Sequence, residues 1–266
     1  MSLVISKVFT YDTDAGDYIQ RVEGASGDNA ALEPATRQAI NNFVIGCKQD
    51  GIWNAIKASC ILSGARTLNG ALQPLVGTAP TNVGPFVTGD YVRKTGLKGT
   101  AASTKNLLTN YTVLASNVNN THLSIFPTES ISLNAELIGG SPSSNANGLS
   151  GIYIDVNDTQ NYFSCWNNNN YLGPLVRVNK LAGASRNTSG SFTARGNGTS
   201  QTISQVVVGS PQNHGMRVFT RDTAGVAQSY STGARLAFYS IGESLDLALL
   251  DARVTALITA FGVAIP

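Results

Sequence analysis

Ala234-Arg235-Leu236-Ala237-Phe238-Tyr239-Ser240-Ile241-Gly242-Glu243-Ser244-Leu245 is the stretch that decides the fold. Leu236 and Phe238 alternate with other residues at strand spacing, and the run breaks at Gly242. A helical pattern follows at once: Leu247, Leu250, Val254, Leu257 and Phe261 share one apolar face. Glu243 and Asp246 stand at the junction, where Asp246 favours a helix N-terminus. A strand that hands over directly to an amphipathic helix implies a sheet with the helix laid onto it.

Upstream, back to about Tyr91, the apolar period is two. Leu123 and Ile125, Leu133, Ala135 and Leu137, Ile152, Ile154 and Val156, Phe163 and Cys165, and Val176 and Val178 each alternate with polar or neutral neighbours. Gly139-Gly140-Ser141-Pro142, Asn157-Asp158, Gly173-Pro174, Gly196-Asn197-Gly198 and Gly209-Ser210-Pro211 punctuate these runs as turns. Many short strands at regular spacing predict an antiparallel sandwich.

Residues 13–64 read as helical. Ala15, Tyr18, Ile19 and Val22 share a face, with Asp14 and Asp17 as a capping pair. Pro34 suits a first helical turn, and Ile40, Phe43, Val44 and Cys47 make a stripe that ends at Gly51. Trp53, Ile56 and Cys60 continue at helical spacing. Residues 65–90, rich in Gly, Pro and Thr, read as a connector. The expected organisation is a helical region with connector over 1–90, serving docking or oligomerisation, and a sandwich with a terminal helix over 91–266.

Of the 266 residues only 13% are charged, and the net charge is +2. That is about half the usual charged fraction of roughly 25%. Such a surface repels itself weakly and suits dense assembly. It carries no basic cluster, so nucleic acid is not an expected partner. No apolar run approaches the roughly 18 residues of a membrane span, and no signal peptide is legible. Three cysteines leave at least one thiol unpaired. Free, buried thiols and synthesis in a reducing cytoplasm are expected.

The strand ending in Ile-Gly before a short terminal helix is similar to the close of laminin-G-like, concanavalin-type β-sandwiches. Gly96-Leu97-Lys98-Gly99 with Lys105 and Leu108, and Phe192-Thr193-Ala194-Arg195-Gly196-Asn197-Gly198, resemble an early strand and a late hairpin of those domains. The stretches Gly46–Cys60, Gly64–Leu68 and Leu75–Thr81 resemble a largely uncharacterised family of tailed-bacteriophage and prophage proteins, as does the Ser240–Leu247 ending. The likeness covers residues 12–262. It implies a structural virion protein in a tail-fibre, receptor-binding or capsid-decoration position. It further implies manufacture in the host bacterial cytoplasm, and other virion proteins and copies of itself as partners.

Little in the chain suggests catalysis. The Glu-x-Asp-x-Glu strand of concanavalin-like glycoside hydrolases is absent, although a polysaccharide-cleaving enzyme is the alternative that the fold class leaves open. There are two histidines, His122 and His214. No metalloprotease helix, nucleophile elbow or phosphate loop accompanies them. No cofactor and no metal centre are expected, with Asp155-Val156-Asn157-Asp158 the stretch best able to offer oxygen ligands to Ca²⁺. The candidate recognition element is Trp166-Asn167-Asn168-Asn169-Asn170-Tyr171. Aromatic rings stack on sugar C–H faces and amides satisfy hydroxyls, so this loop is the expected site for a host surface glycan.

Overall fold

The decisive stretch forms an eight-residue strand, Arg235–Gly242, and every one of its residues is buried. Burial on both faces demands cover on both sides. A second sheet supplies it on one side and a layer of helices on the other. The computed structural model describes residues 10–27, 31–100, 105–131, 134–143, 148–155, 160–208, 211–228 and 233–266.

The helices are α1 (Thr13–Ser26), α2 (Pro34–Gln49), α3 (Leu68–Ala71) and α4 (Leu247–Ala264). The strands begin with β1 (Ile56–Ile61), β2 (Thr81–Val83), β3 (Tyr91–Val92), β4 (Gly96–Lys98), β5 (Asn106–Val113) and β6 (Thr121–Pro127). They continue with β7 (Ala135–Ser141), β8 (Leu149–Asp155), β9 (Gln160–Asn167), β10 (Tyr171–Gly173), β11 (Ala182–Arg186) and β12 (Phe192–Gly196). The last are β13 (Thr199–Ile203), β14 (His214–Val218), β15 (Arg221–Thr223), β16 (Val226–Ala227) and β17 (Arg235–Gly242). An eight-stranded sheet runs β13-β12-β11-β6-β17-β4-β3, with β1 also paired to β17. A nine-stranded sheet runs β10-β9-β8-β7-β14-β5-β2, with β15 and β16 attached. The strand pairs are antiparallel apart from β15 with β7. The fold is thus the mainly-β antiparallel sandwich that the alternation predicts, with helices at the N-terminal side and a helix at the end.

Two cores result. Leu123, Ile125, Ile152, Phe163, Cys165, Met216 and Leu236 fill the space between the sheets. Tyr18, Phe43, Val44, Cys47, Phe238, Leu250, Leu257 and Phe261 fill the space between the eight-stranded sheet and the helices. Phe43 meets Phe238 edge-on, ring centroids 5.9 Å apart. The face expected on α4 is buried as read: Leu247, Leu250, Val254, Leu257 and Phe261 are all at most 2% exposed. Arg253 clamps α4 to the end of α2 through two bonds to Asp50, at 2.7 and 2.8 Å.

Several sequence expectations shift. Trp53–Ala55 is a single 3-10 turn, and Ile56 and Cys60 lie in β1, paired to β17, not in a helix. Spacings of four satisfy both periods, and the open edge of β17 decides between them. The connector holds β2, which pairs with β5, so both sheets recruit strands from before residue 91. α1 is capped by Asp12, whose carboxylate accepts from Asp14 N, and not by Asp14 with Asp17. Gly139 and Gly140 continue β7 instead of turning. Val176 and Val178 lie in irregular chain and a turn. Gly196-Asn197-Gly198 does form the expected hairpin turn between β12 and β13, with Asn197 and Gly198 at φ 49° and 74°. α4, despite the expectation of no span-length run, is long and apolar enough by length and composition to cross a membrane. In this fold its apolar stripe is core. Cys47, Cys60 and Cys165 are free and buried, as expected.

Candidate functional site

The loop expected to hold a glycan is divided by the core. Trp166 is 0% exposed and belongs to the inter-sheet core, its ring 4.8 Å from that of His214. The cause is a break in alternation. The β8–β9 register slips at Leu149/Ser150, and Trp166 takes φ 60°, so Cys165 and Trp166 both turn inward. Asn167 is buried too: its Oδ1 accepts from Cys165 N and Arg186 Nη2, and its Nδ2 donates to Val206 O. Neither side chain can form an exposed shelf, which corrects the sequence expectation for both. Asn168 and Asn169 are exposed, and Asn170 and Tyr171 are half-buried.

Arg186 explains this inward turn. It is fully buried and touches no carboxylate among the described residues. Its guanidinium instead donates to the carbonyls of Cys165, Thr188, Ser191 and Gln205 and lies 5.3 Å from the Phe192 ring. Burial pulls its pKa below the usual arginine value. One side chain thereby ties β9, the 187–191 loop and the chain after β13 into one rigid corner.

What remains of the loop borders the outer face of the nine-stranded sheet, and the register assembles a surface there. Glu136 pairs with Tyr153, Tyr153 with Tyr162, and Tyr162 with Leu172, so these four share one face as a row across four strands. The Tyr153 and Tyr162 rings are 6.1 Å apart, tilted by 49°, and half-buried. Beside them runs a second row, Gly139, Gly151 and Ser164. Ser164 Oγ lies 2.7 Å from Asn170 Oδ1, which fixes that amide at the edge of the face.

The acid end of this face is unusual. Glu136 is 1% exposed, and its Oε1 has no hydrogen-bond partner among the described residues. Its Oε2 is 3.9 Å from Arg221 Nη1. Burial pushes the Glu136 carboxyl up to about 7, against the pull of Arg221. Glycine makes the room: a Cβ at Gly151 or Gly139 would stand 2.2 or 2.5 Å from Glu136 Oε1. Next to it Arg217 is bonded to Asp222, Asn106 and the Gly225 carbonyl. In the alternation of Ala135 and Leu137, Glu136 falls between the inward residues, as a polar spacer would. The facing glycines at 139 and 151 were the available signal, and the first of them was read as a turn.

The groups that could suggest turnover are engaged structurally. His122 Nε2 is 2.7 Å from Ser240 Oγ, but both side chains are fully buried beneath the helices, and His122 Nδ1 meets the Glu243 carbonyl. Burial lowers His122 to about 4. Glu243 pairs with Lys57, and Asp246 caps α4 through Ala248 N and Leu249 N. Among the described residues no group of three His, Cys, Asp or Glu could hold a metal ion. Val156, Asn157 and Asp158 of the suggested Ca²⁺ turn lie outside the described residues.

No protein-family model and no curated protein matches the chain. Solved structures with a similar course include the K499G mutant of the NanB sialidase from Streptococcus pneumoniae, at 12% identity over 59% of this chain and 27% of that one, TM-score 0.36. The CBM40 of the Ruminococcus gnavus IT-sialidase is 11% identical over 51% of this chain and 84% of its own, TM-score 0.37. A mutant Trypanosoma rangeli sialidase displaying trans-sialidase activity is 10% identical over 83% of this chain and 39% of its own, TM-score 0.48. This chain spans about a quarter of the NanB structures. These likenesses concern the sandwich and nothing finer.

Proposed function

We propose that the chain is a non-catalytic structural protein of a tailed-bacteriophage particle, in a tail-fibre, receptor-binding or capsid-decoration position. In this reading its nine-stranded sheet adheres to host surface glycans through its outer face. One observation carries the adhesive part: two tilted tyrosine rings stand half-exposed on a sheet face, flanked by the Asn170 amide at one end and by Glu136 and Arg221 at the other. Aromatic C–H stacking with a few convergent polar groups is the chemistry by which a sugar chain is held on an open surface. The particle context is supported by the resemblance of residues 46–60, 64–68 and 75–81. The low charge density and the absence of disulfides support assembly in many copies inside a reducing cell.

A shallow face gives weak binding per site, so adhesion relies on repetition, in which each bound copy raises the effective concentration for the next. Tyr153→Ala with Tyr162→Ala should lower retention on host-cell polysaccharide at least about tenfold, equal to about 1.4 kcal/mol, while far-UV circular dichroism stays unchanged. Retention equal to the parent, with the protein folded, refutes the adhesive reading. Cryo-electron microscopy of an intact particle tests the particle reading by the presence or absence of this chain.

A further inference from the structure

We infer that a second binding site opens at one end of the sandwich and takes a single sugar residue. A cavity of about 410 Å³ lies where the end of β6 meets the adjoining ends of β8 and β9 and the chain after β10. That volume falls in the range of small-molecule sites, and it is too small for an extended chain of sugars. Its floor is apolar, formed by Ile131, Ile154 and Val176.

The decisive residue is Asn161. It pairs with Ile154 across β8 and β9, so both belong to the inward row that includes Phe163. The other members of that row are hydrocarbon packed in the core, yet the last is an amide. Asn161 is 5% exposed, lines the cavity, and has no side-chain hydrogen bond among the described residues. The little surface that Asn161 keeps lies at the cavity, so its amide is open to a ligand there. A leucine would continue the apolar row, so the amide serves the opening and not the packing. The amide faces a cavity whose rim adds Arg177, Asp155 and Glu129. Arg177 is exposed and pairs with no carboxylate among the described residues, whereas Glu129 is held by Lys98 and Arg235. An apolar floor under donors and acceptors on the rim matches a pyranose, with a C–H face below and hydroxyls around its edge. The inference takes its ligand class from the glycan reading but its location from this cavity alone.

The test uses the full chain, ¹⁵N-labelled and titrated separately with glucose, galactose and N-acetylglucosamine. The parent should show saturable shifts at Asn161 and its neighbours with at least one of the three. Asn161→Leu should weaken that binding at least about tenfold. It should also leave the melting temperature equal or higher, because an unpartnered amide has been replaced by hydrocarbon. An amide with a purely structural role would instead lower the melting temperature. Tyr153→Ala should leave monosaccharide binding intact, which separates this site from the sheet face. No saturable shift with any of the three sugars, or equal binding by Asn161→Leu, overturns the inference. Loss of monosaccharide binding in Tyr153→Ala would move the site to the sheet face and equally overturn it.

Discussion

At the scale of single residues, two buried charges govern the face of the protein that carries the candidate site. Arg186 satisfies backbone carbonyls at five separate positions. Arg186→Met should cost at least about 3 kcal/mol in denaturant unfolding and should blunt the near-ultraviolet signal of Trp166, since several buried acceptors lose their donor together. Glu136 acts through pH. Its folded-state pKa is raised, so its favourable contribution is complete below 4.5 and is lost as pH rises through about 7. The two buried histidines act in the opposite sense. Both are lowered to about 4, so their contribution is complete above 6.5 and is lost as acid is added through 4. Stability should peak near pH 6.5, and Glu136→Gln should flatten the fall on the alkaline side. A thermal-melt series from pH 4 to 8 spans both windows, 4 to 6.5 for the histidines and 4.5 to 7 for Glu136. None of this was legible in the sequence. Trp166 and Asn167 carried the composition of a sugar-binding loop, and what turned them inward was an arginine nineteen or more positions away together with a slipped register. Composition marks chemistry, but a bulge decides which side of the sheet receives it.

At the scale of elements, α4 is where sequence reading succeeded most fully. Five residues at helical spacing named the buried face, and Asp246 named the cap. Such a pattern is self-contained, because a helix closes its own hydrogen bonds and needs neighbours only for its stripe. Leu250→Ala and Leu257→Ala should each cost about 2–5 kcal/mol, measured by chemical denaturation. The Asn197-Gly198 hairpin was legible for the same reason, since both positive φ angles are demanded locally. β1 was not. A six-residue run containing Ile56, Ala58 and Cys60 carries both periods, and only the distant edge of β17 selects one. Gly139 and Gly140 misled in the reverse direction. Their usual role in turns gave way to a strand in which neighbouring atoms leave no room for a Cβ, Glu136 Oε1 at Gly139 and the Gly215 carbonyl at Gly140.

At the scale of the molecule, three layers share the middle sheet, so the helices are structural cover and not an appendage. α1 and α2 bury their apolar stripes against α4, α3 and Phe238, which leaves only their outer faces for any neighbouring copy. A chain lacking residues 1–52 should bare the Phe238 side of the sheet and the inner face of α4. It should self-associate in gel filtration and bind a hydrophobic dye where the full chain does not. The layered cover also explains why β6 and β17 are buried along their whole length, a feature that alternation within one strand does not announce. The pairing of β1 with β17 has a consequence for synthesis. Ser59 lies opposite Ser240, so the first strand waits for the last before its edge is closed. A ribosome adding about 5–20 residues per second needs on the order of 10–40 s to cover that interval. Throughout that delay the nascent chain carries an open apolar edge. Chaperone occupancy during translation, more than the finished protein's stability, should therefore set how much folded product a cell obtains.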